Sequence, residues 1–118
     1  MHTVSSDLMI DSPNAHLQEL RRGTIVLACL RRLRSADYGY NLLEQLASQG
    51  FETDANTLYP LLRRLEKQGY LESEWNTDQS RPRKFYLTSD EGERLAEMLT
   101  REWQLLTRAI ASLTDEEK

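Results

Sequence analysis

The side chains best equipped for chemistry in this chain lie between residues 54 and 88, and they are hydrogen-bond donors and cations rather than nucleophiles. Asn56, Thr57, Tyr59, Pro60, Arg63, Arg64 and Lys67 alternate with Leu58, Leu61, Leu62 and Leu65. The leucines recur at i, i+3, i+4 and i+7, which is one apolar face at the helical period. The other face is polar. An Asn amide matches the major-groove edge of adenine and an Arg guanidinium that of guanine, each through two bonds worth ~1–3 kcal/mol of discrimination. A second set of cations, Arg81, Arg83 and Lys84, follows at a polar, Pro-containing turn. Cations there suit phosphates or a minor groove, where they add affinity without sequence preference.

The elements that must position these groups are legible from spacing. Asp54 is the best N-cap for the helix, its carboxylate accepting from the amide of Asn56 or Thr57. Gly69 closes that helix. Pro60 supplies no amide to the carbonyl of Asn56 and is expected to bend or loosen the first turn. Beyond it, Tyr70 to Trp75 and Lys84 to Thr88 alternate with a period of two, the pattern of two antiparallel strands. A helix beside a basic hairpin is the winged helix-turn-helix plan, which lays the helix in a DNA major groove with the hairpin on its flank.

The remaining segments supply the frame. Residues 1–12 have no periodicity and are expected to be flexible. Ser12-Pro13 reads as an N-cap followed by Pro at the first helical position, so a first helix is predicted from Pro13 to about Arg34. Leu17, Leu20, Thr24, Leu27 and Ala28 share one side of it. Ile25, Val26, Cys29, Leu30 and Leu33 cover others, which means contact on more than one side. After Arg34-Ser35-Ala36-Asp37 a second helix carries Tyr38, Leu42, Leu43, Leu46 and Ala47 and ends at Gly50. The last helix starts at Ser89 or Asp90 and runs to about Leu113. Ala96, Leu99, Trp103, Leu106, Ile110 and Leu113 on it are spaced as an a/d seam, and dimerisation is the economical way to bury it. Thr114 to Lys118 is a polar tail.

The fold class expected is therefore mainly α with a small β-hairpin wing, an α+β arrangement. Residues 13–88 form a winged helix-turn-helix domain and residues 89–113 a dimerisation helix. With 118 residues, one Cys and no apolar run near the ~20 residues of a membrane span, the chain reads as one cytoplasmic domain without a membrane role. The net charge of −4 is unevenly spread. Residues 56–88 hold six Arg or Lys against four Asp or Glu, whereas residues 89–118 hold four against eight. The acid thus sits away from the candidate DNA face. Cys29 reads as a small core hydrophobe and Trp75, ending the first wing strand, as packing. His2 and His16 have no Cys or carboxylate at metal spacing, so neither a metal nor a cofactor is expected. An enzyme finds no support, since there is no phosphate loop, HExxH, GxSxG or placed Cys-His or Ser-His pair. A winged helix serving protein–protein assembly is the alternative, and the basic wing with a polar helix face argues against it.

Tyr38-Gly39-Tyr40, the block from Asn56 to Glu66 with Gly69, and Arg83-Lys84-Phe85-Tyr86-Leu87-Thr88 with Gly92 resemble the PadR family of bacterial transcriptional regulators. The resemblance runs from about Leu20 to Leu113, with Asn56 standing where the family most often has Gly. It is similar to the smaller subgroup with a single short C-terminal helix, in which that helix and the N-terminal helix form the dimer. The resemblance implies a dimeric repressor on a palindromic operator, often of a transporter or detoxification gene, released when a small molecule binds. It also implies that Ser35 and Tyr38 touch the DNA backbone. Trp103 has two readings. It is dimer core, or it faces its symmetry mate across a slot for a flat apolar or cationic ligand, as a matching Trp does in some PadR-like multidrug sensors. Leu17, Leu20, Thr24 and Ala28, with Leu99, Thr100 and Leu106, would be the walls.

Overall fold

Leu30, Leu33, Leu42, Leu58 and Leu62 are wholly excluded from solvent and form the centre on which three of the helices pack. The computed structural model describes residues 6–78 and 80–115. Residues 1–5 and 116–118, the outer ends of the flexible segment and of the tail expected above, lie outside the described residues. The order is α1 (Ser6–Arg22), α2 (Ile25–Arg32), β1 (Asp37–Tyr38), α3 (Gly39–Ser48), α4 (Ala55–Lys67), β2 (Leu71–Asn76), β3 (Arg83–Thr88) and α5 (Asp90–Asp115). The strands form one antiparallel sheet in the order β1-β3-β2. The fold is thus mainly helical with a small sheet, a winged helix, as its composition of elements predicts.

The first helix departs from expectation in two ways. It begins at Ser6 with Pro13 inside it, and it stops at Arg22 instead of running to Arg34. Gly23 is a poor helix residue. Thr24 then turns back on the helix, its amide and its hydroxyl both donating to the carbonyl of Arg21 at 2.9 and 2.8 Å. A side chain competing for a helical carbonyl in this way favours a turn. Leu17 and Leu20 therefore do not share a helix face with Leu27 and Ala28.

Both glycine stops are Schellman corners with the glycine at positive φ, 94° at Gly50 and 88° at Gly69. At the first, Phe51 N donates to Leu46 O and Gly50 N to Ala47 O. At the second, Tyr70 N donates to Leu65 O and Gly69 N to Glu66 O. The second corner is also where α5 is fastened. Ser89 Oγ donates to Gly69 O at 2.6 Å and accepts from Gly92 N at 3.1 Å, so one hydroxyl caps α5 and ties it to the end of α4. A Cβ on Gly92 would lie 2.1 Å from the carbonyl oxygen of Tyr70. The close approach of α5 to this corner requires glycine.

The sheet is locked to α2 through Thr88, whose amide donates to Leu33 O at 2.8 Å and whose hydroxyl donates to Leu30 O at 2.7 Å. Two terminal carbonyls of α2 are thereby satisfied from β3. Cys29 is fully buried beside them, and burial pushes its thiol up to about 12, so it stays protonated and packs as a hydrophobe.

Beyond this core α5 is nearly bare. The radius of gyration is 18.1 Å, against about 13 Å for a compact chain of this length. Ala96 is 0% exposed and Leu99 packs against the core, whereas every described side chain from Arg101 to Thr114 is exposed. Ala96 therefore leaves the expected dimer seam. It belongs to the core of its own chain, because the first turns of α5 lie on α2 and β3.

Candidate nucleic-acid interface

Helix α4 buries Leu58, Leu61, Leu62 and Leu65 and exposes Asn56, Thr57, Pro60, Arg63, Arg64 and Lys67, as the leucine spacing requires. Asp54 Oδ1 accepts from Thr57 N at 2.9 Å, which fixes the first turn. The helix runs continuously across Pro60. Tyr59 is half-buried, and its ring lies so close to Gly39 that a Cβ there would come within 2.5 Å of Cε1. Gly39 thus lets the start of α3 approach α4 at Tyr59, which accounts for the glycine between Tyr38 and Tyr40.

Asp37 holds that start in place. Its carboxylate accepts from Tyr38 N at 2.7 Å, Asn41 Nδ2 at 2.9 Å and Arg32 Nη2 at 2.6 Å. Partial burial pushes the Asp37 carboxyl up, but these donors together prevail and hold it below the usual carboxylate value. Asp37 and Tyr38 form a short strand on β3, so Asp37, expected in the turn, is paired, and Tyr38, expected on the second helix, precedes it. Ser35 is exposed, and its carbonyl accepts from Arg32 Nη1 at 3.4 Å. The Tyr38 hydroxyl accepts from Asn76 Nδ2 at 2.6 Å, so its ring is packed between Tyr40 and Phe85 with the polar end already used.

The wing cations divide into three situations. Arg81 is exposed on the turn. Arg83 lies in β3 over the rings of Tyr38 and Tyr40, at 5.4 and 5.0 Å, with Nη1 donating to the Tyr40 hydroxyl. Lys84 is turned inward, its Nζ 3.1 Å from Glu66 Oε1 and 5.4 Å from the centre of the Tyr86 ring. Placing Arg83 and Lys84 at the hairpin tip is therefore corrected, since β3 begins at Arg83 and only Arg81 belongs to the turn. Glu66 was not singled out from the sequence, yet its other oxygen accepts from Ser73 Oγ at 2.5 Å and so joins α4 to both wing strands. The Ser73 hydroxyl, outweighing partial burial with help from Lys84, holds the Glu66 carboxyl below its usual value. Trp75 corrects a second expectation. It is 63% exposed rather than packed.

Among the residues expected to line a ligand slot, Trp103 and Leu106 stand exposed on α5, and Leu17 and Leu20 stand exposed on α1. Ala28 and Leu99 pack against the core of the same chain. Thr24 is held by its bond to Arg21, and Thr100 Oγ1 accepts from Arg31 Nη2 at 2.9 Å. Within one chain these residues are spread over α1, α2 and α5, with Thr24 between the first two. Between α1 and the start of α4 there is instead a cleft of 370 Å³, with Gln18 and Arg22 on one wall and Thr57 and Leu61 on the other. Among the described residues no cluster of three or more His, Cys, Asp or Glu can hold a metal, and no helix is long and apolar enough to cross a membrane.

A three-stranded sheet with a hairpin wing, packed beside a capped helix whose polar face is free, defines a winged-helix protein of the DNA-binding type. The family model of the transcriptional regulator PadR-like family matches residues 26–98. The chain belongs to this PadR-like family. A PadR family transcriptional regulator from Eggerthella lenta is 45% identical with a TM-score of 0.87, over 91% of this chain and 96% of that one. A protein from Streptococcus mutans is 32% identical with a TM-score of 0.69, over 79% and 88% of the two chains. A transcriptional regulator from Clostridium thermocellum is 26% identical with a TM-score of 0.72, over 80% and 96%. No curated protein matches the chain.

Proposed function

We propose that this PadR-family regulator acts as a homodimeric repressor on a palindromic operator. The observation that carries the reading is α4, with one face sunk in the core and the other exposing Asn56, Thr57, Pro60, Arg63 and Arg64 beside the wing. Asn56, Thr57, Tyr59 and Arg63 read base edges and nearby phosphates, with Pro60 and Arg64 on the same exposed face. Arg81 and Arg83 hold phosphates, Lys84 fixes the wing, and Ser35 and Tyr38 flank the backbone.

The second copy docks on α5. Trp103, Leu106, Ile110 and Leu113 are 52 to 69% exposed along ~15 Å of helix. Burying them in both copies is worth on the order of 10 kcal/mol before the cost of association. Leu17 and Leu20, exposed on α1, offer the partner a second apolar patch. In the dimer the two Trp103 rings face each other, and a flat apolar or cationic effector between them changes the spacing of the two α4 helices, set at about one DNA turn, ~34 Å.

A gel shift on duplexes selected from a randomised library tests the core of the reading. Arg63→Ala is expected to relax base preference at one position per half-site. Arg81→Ala is expected to weaken all duplexes equally and to lower the salt slope by about one. Equal loss of specificity in the two variants would refute the division of labour. For the effector, a planar cationic dye should quench Trp103 in the Trp75→Phe variant, and absence of quenching removes the slot.

A further inference from the structure

Trp75 stands on β2 opposite Lys84, on the same face of the sheet as Leu71 and Ser73. Leu71 is buried and Ser73 reaches Glu66, but the indole, two residues further, is left open. In front of it is an open cleft of 260 Å³, lined by Tyr59 of α4, Tyr40 at the start of α3, and Pro82, Arg83 and Lys84 of the wing. Leaving an indole in water forgoes the gain of burying a large apolar ring, and nothing else among the described residues covers it.

The lining of the cleft restricts its occupant. It contains aromatic rings and two cations but no carboxylate. The Lys84 charge is met by Glu66, whereas Arg83 has no carboxylate partner among the described residues. A cation held by the rings would face Arg83 at close range, so an ammonium ligand is excluded. An anion carrying flat or sugar-like surface fits both features. The cleft also contains Tyr59, a half-buried residue of α4 at the edge of that helix's exposed face.

We propose that Trp75 is a DNA-contacting residue of the wing, its ring packing on the sugar face of a strand whose phosphate lies at Arg83. This rests on the reading of α4 as the recognition helix. The indole carries no charge, so its contribution is apolar, equal for all sequences and insensitive to salt. That separates it from Arg81 and Arg63. Lys84 Nζ lies 6.0 Å from the indole centre and is itself held by Glu66, which keeps the ring oriented before DNA arrives.

The chain has two tryptophans, so Trp103→Phe leaves Trp75 as the sole indole reporter. Saturating this variant with a duplex that the wild-type protein selects from a randomised library should shift the Trp75 emission and protect it from acrylamide. In the otherwise wild-type chain, Trp75→Ala should weaken the selected duplex and mixed-sequence duplex by the same factor, about three- to tenfold, with an unchanged salt slope. Trp75→Phe should recover part of the loss. A duplex that binds while Trp75 emission and quenching stay as in the free protein overturns the proposal and leaves the reading of α4 intact. Failure of the wild-type protein to select any duplex overturns both.

Discussion

Replacing Glu66 by Gln should loosen the wing from α4 without disturbing the core. Glu66 accepts from Ser73 at 2.5 Å and pairs with Lys84 at 3.1 Å, and the Glu66 and Lys84 side chains keep 30% and 28% of their exposure. A hydrogen bond to a charged group contributes ~1.5–3 kcal/mol, and an ion pair open to water ~0–1 kcal/mol. With solvent screening at this exposure, the bridge as a whole is worth about 1–2 kcal/mol. Gln keeps the shape and an acceptor for Ser73, so its loss is about 1 kcal/mol, and Glu66→Ala loses about 2 kcal/mol. The Glu66 carboxyl titrates below its ordinary value of 4.5 in the folded chain. A lowered acid pKa stabilises the fold above the unfolded value and stops doing so as pH falls through the folded one. The difference between wild type and Glu66→Gln should therefore be constant from neutral pH down to about pH 5 and shrink below 4.5. Urea denaturation at one fixed protein concentration, followed by circular dichroism, measures it at each pH. No difference at pH 7, or a difference that survives undiminished to pH 3, would refute the assignment of charge to this bridge.

Gly92→Ala should cost ~1–3 kcal/mol in the same denaturation experiment, since the added methyl meets the Tyr70 carbonyl and must displace α5 from its corner. Asp54→Ala should remove the α4 cap at a cost of about 1 kcal/mol, and Asp54→Asn should restore most of it. Leu106→Glu with Ile110→Glu should yield a monomer by light scattering while leaving the circular dichroism of the core unchanged, because both side chains are exposed in the single chain. A dimer of undiminished affinity in that variant would exclude α5 as the contact.

Much of α4 was legible because its determinants are local. Four leucines at helical spacing, an Asp at the cap and a Gly at the stop each act within a few residues of themselves, and Thr57 N does bond to Asp54. What escaped reading depended on partners distant in sequence. Asp37 and Tyr38 form a strand only because Tyr86 and Phe85 are there to pair with. Lys84 and Arg83 looked alike in sequence, and only the arrival of Glu66 on one side and of Tyr38 and Tyr40 on the other separates their roles. Ala96 obeys the seam period of α5, but period alone does not say whether a face meets its own chain or another. The break at Gly23 was hidden for the opposite reason, as apolar residues continue on both sides of it and mask a stop made by one threonine.

The attachment of α5 at the Gly69 corner makes it a lever with a short arm and a long one. Ser89 and Gly92 pin its base against the carbonyls of Gly69 and Tyr70, just past the end of α4, and its 26 residues extend ~39 Å from there. Only the part from Arg101 onward stands clear of the core, ~22 Å long, and a tilt of about 5° where it leaves the core sweeps the free end through roughly 2 Å. Spreading two such shafts by the thickness of an aromatic ring at their far ends therefore asks for only a few degrees of rotation where each leaves the core that carries the helix that would lie in the groove.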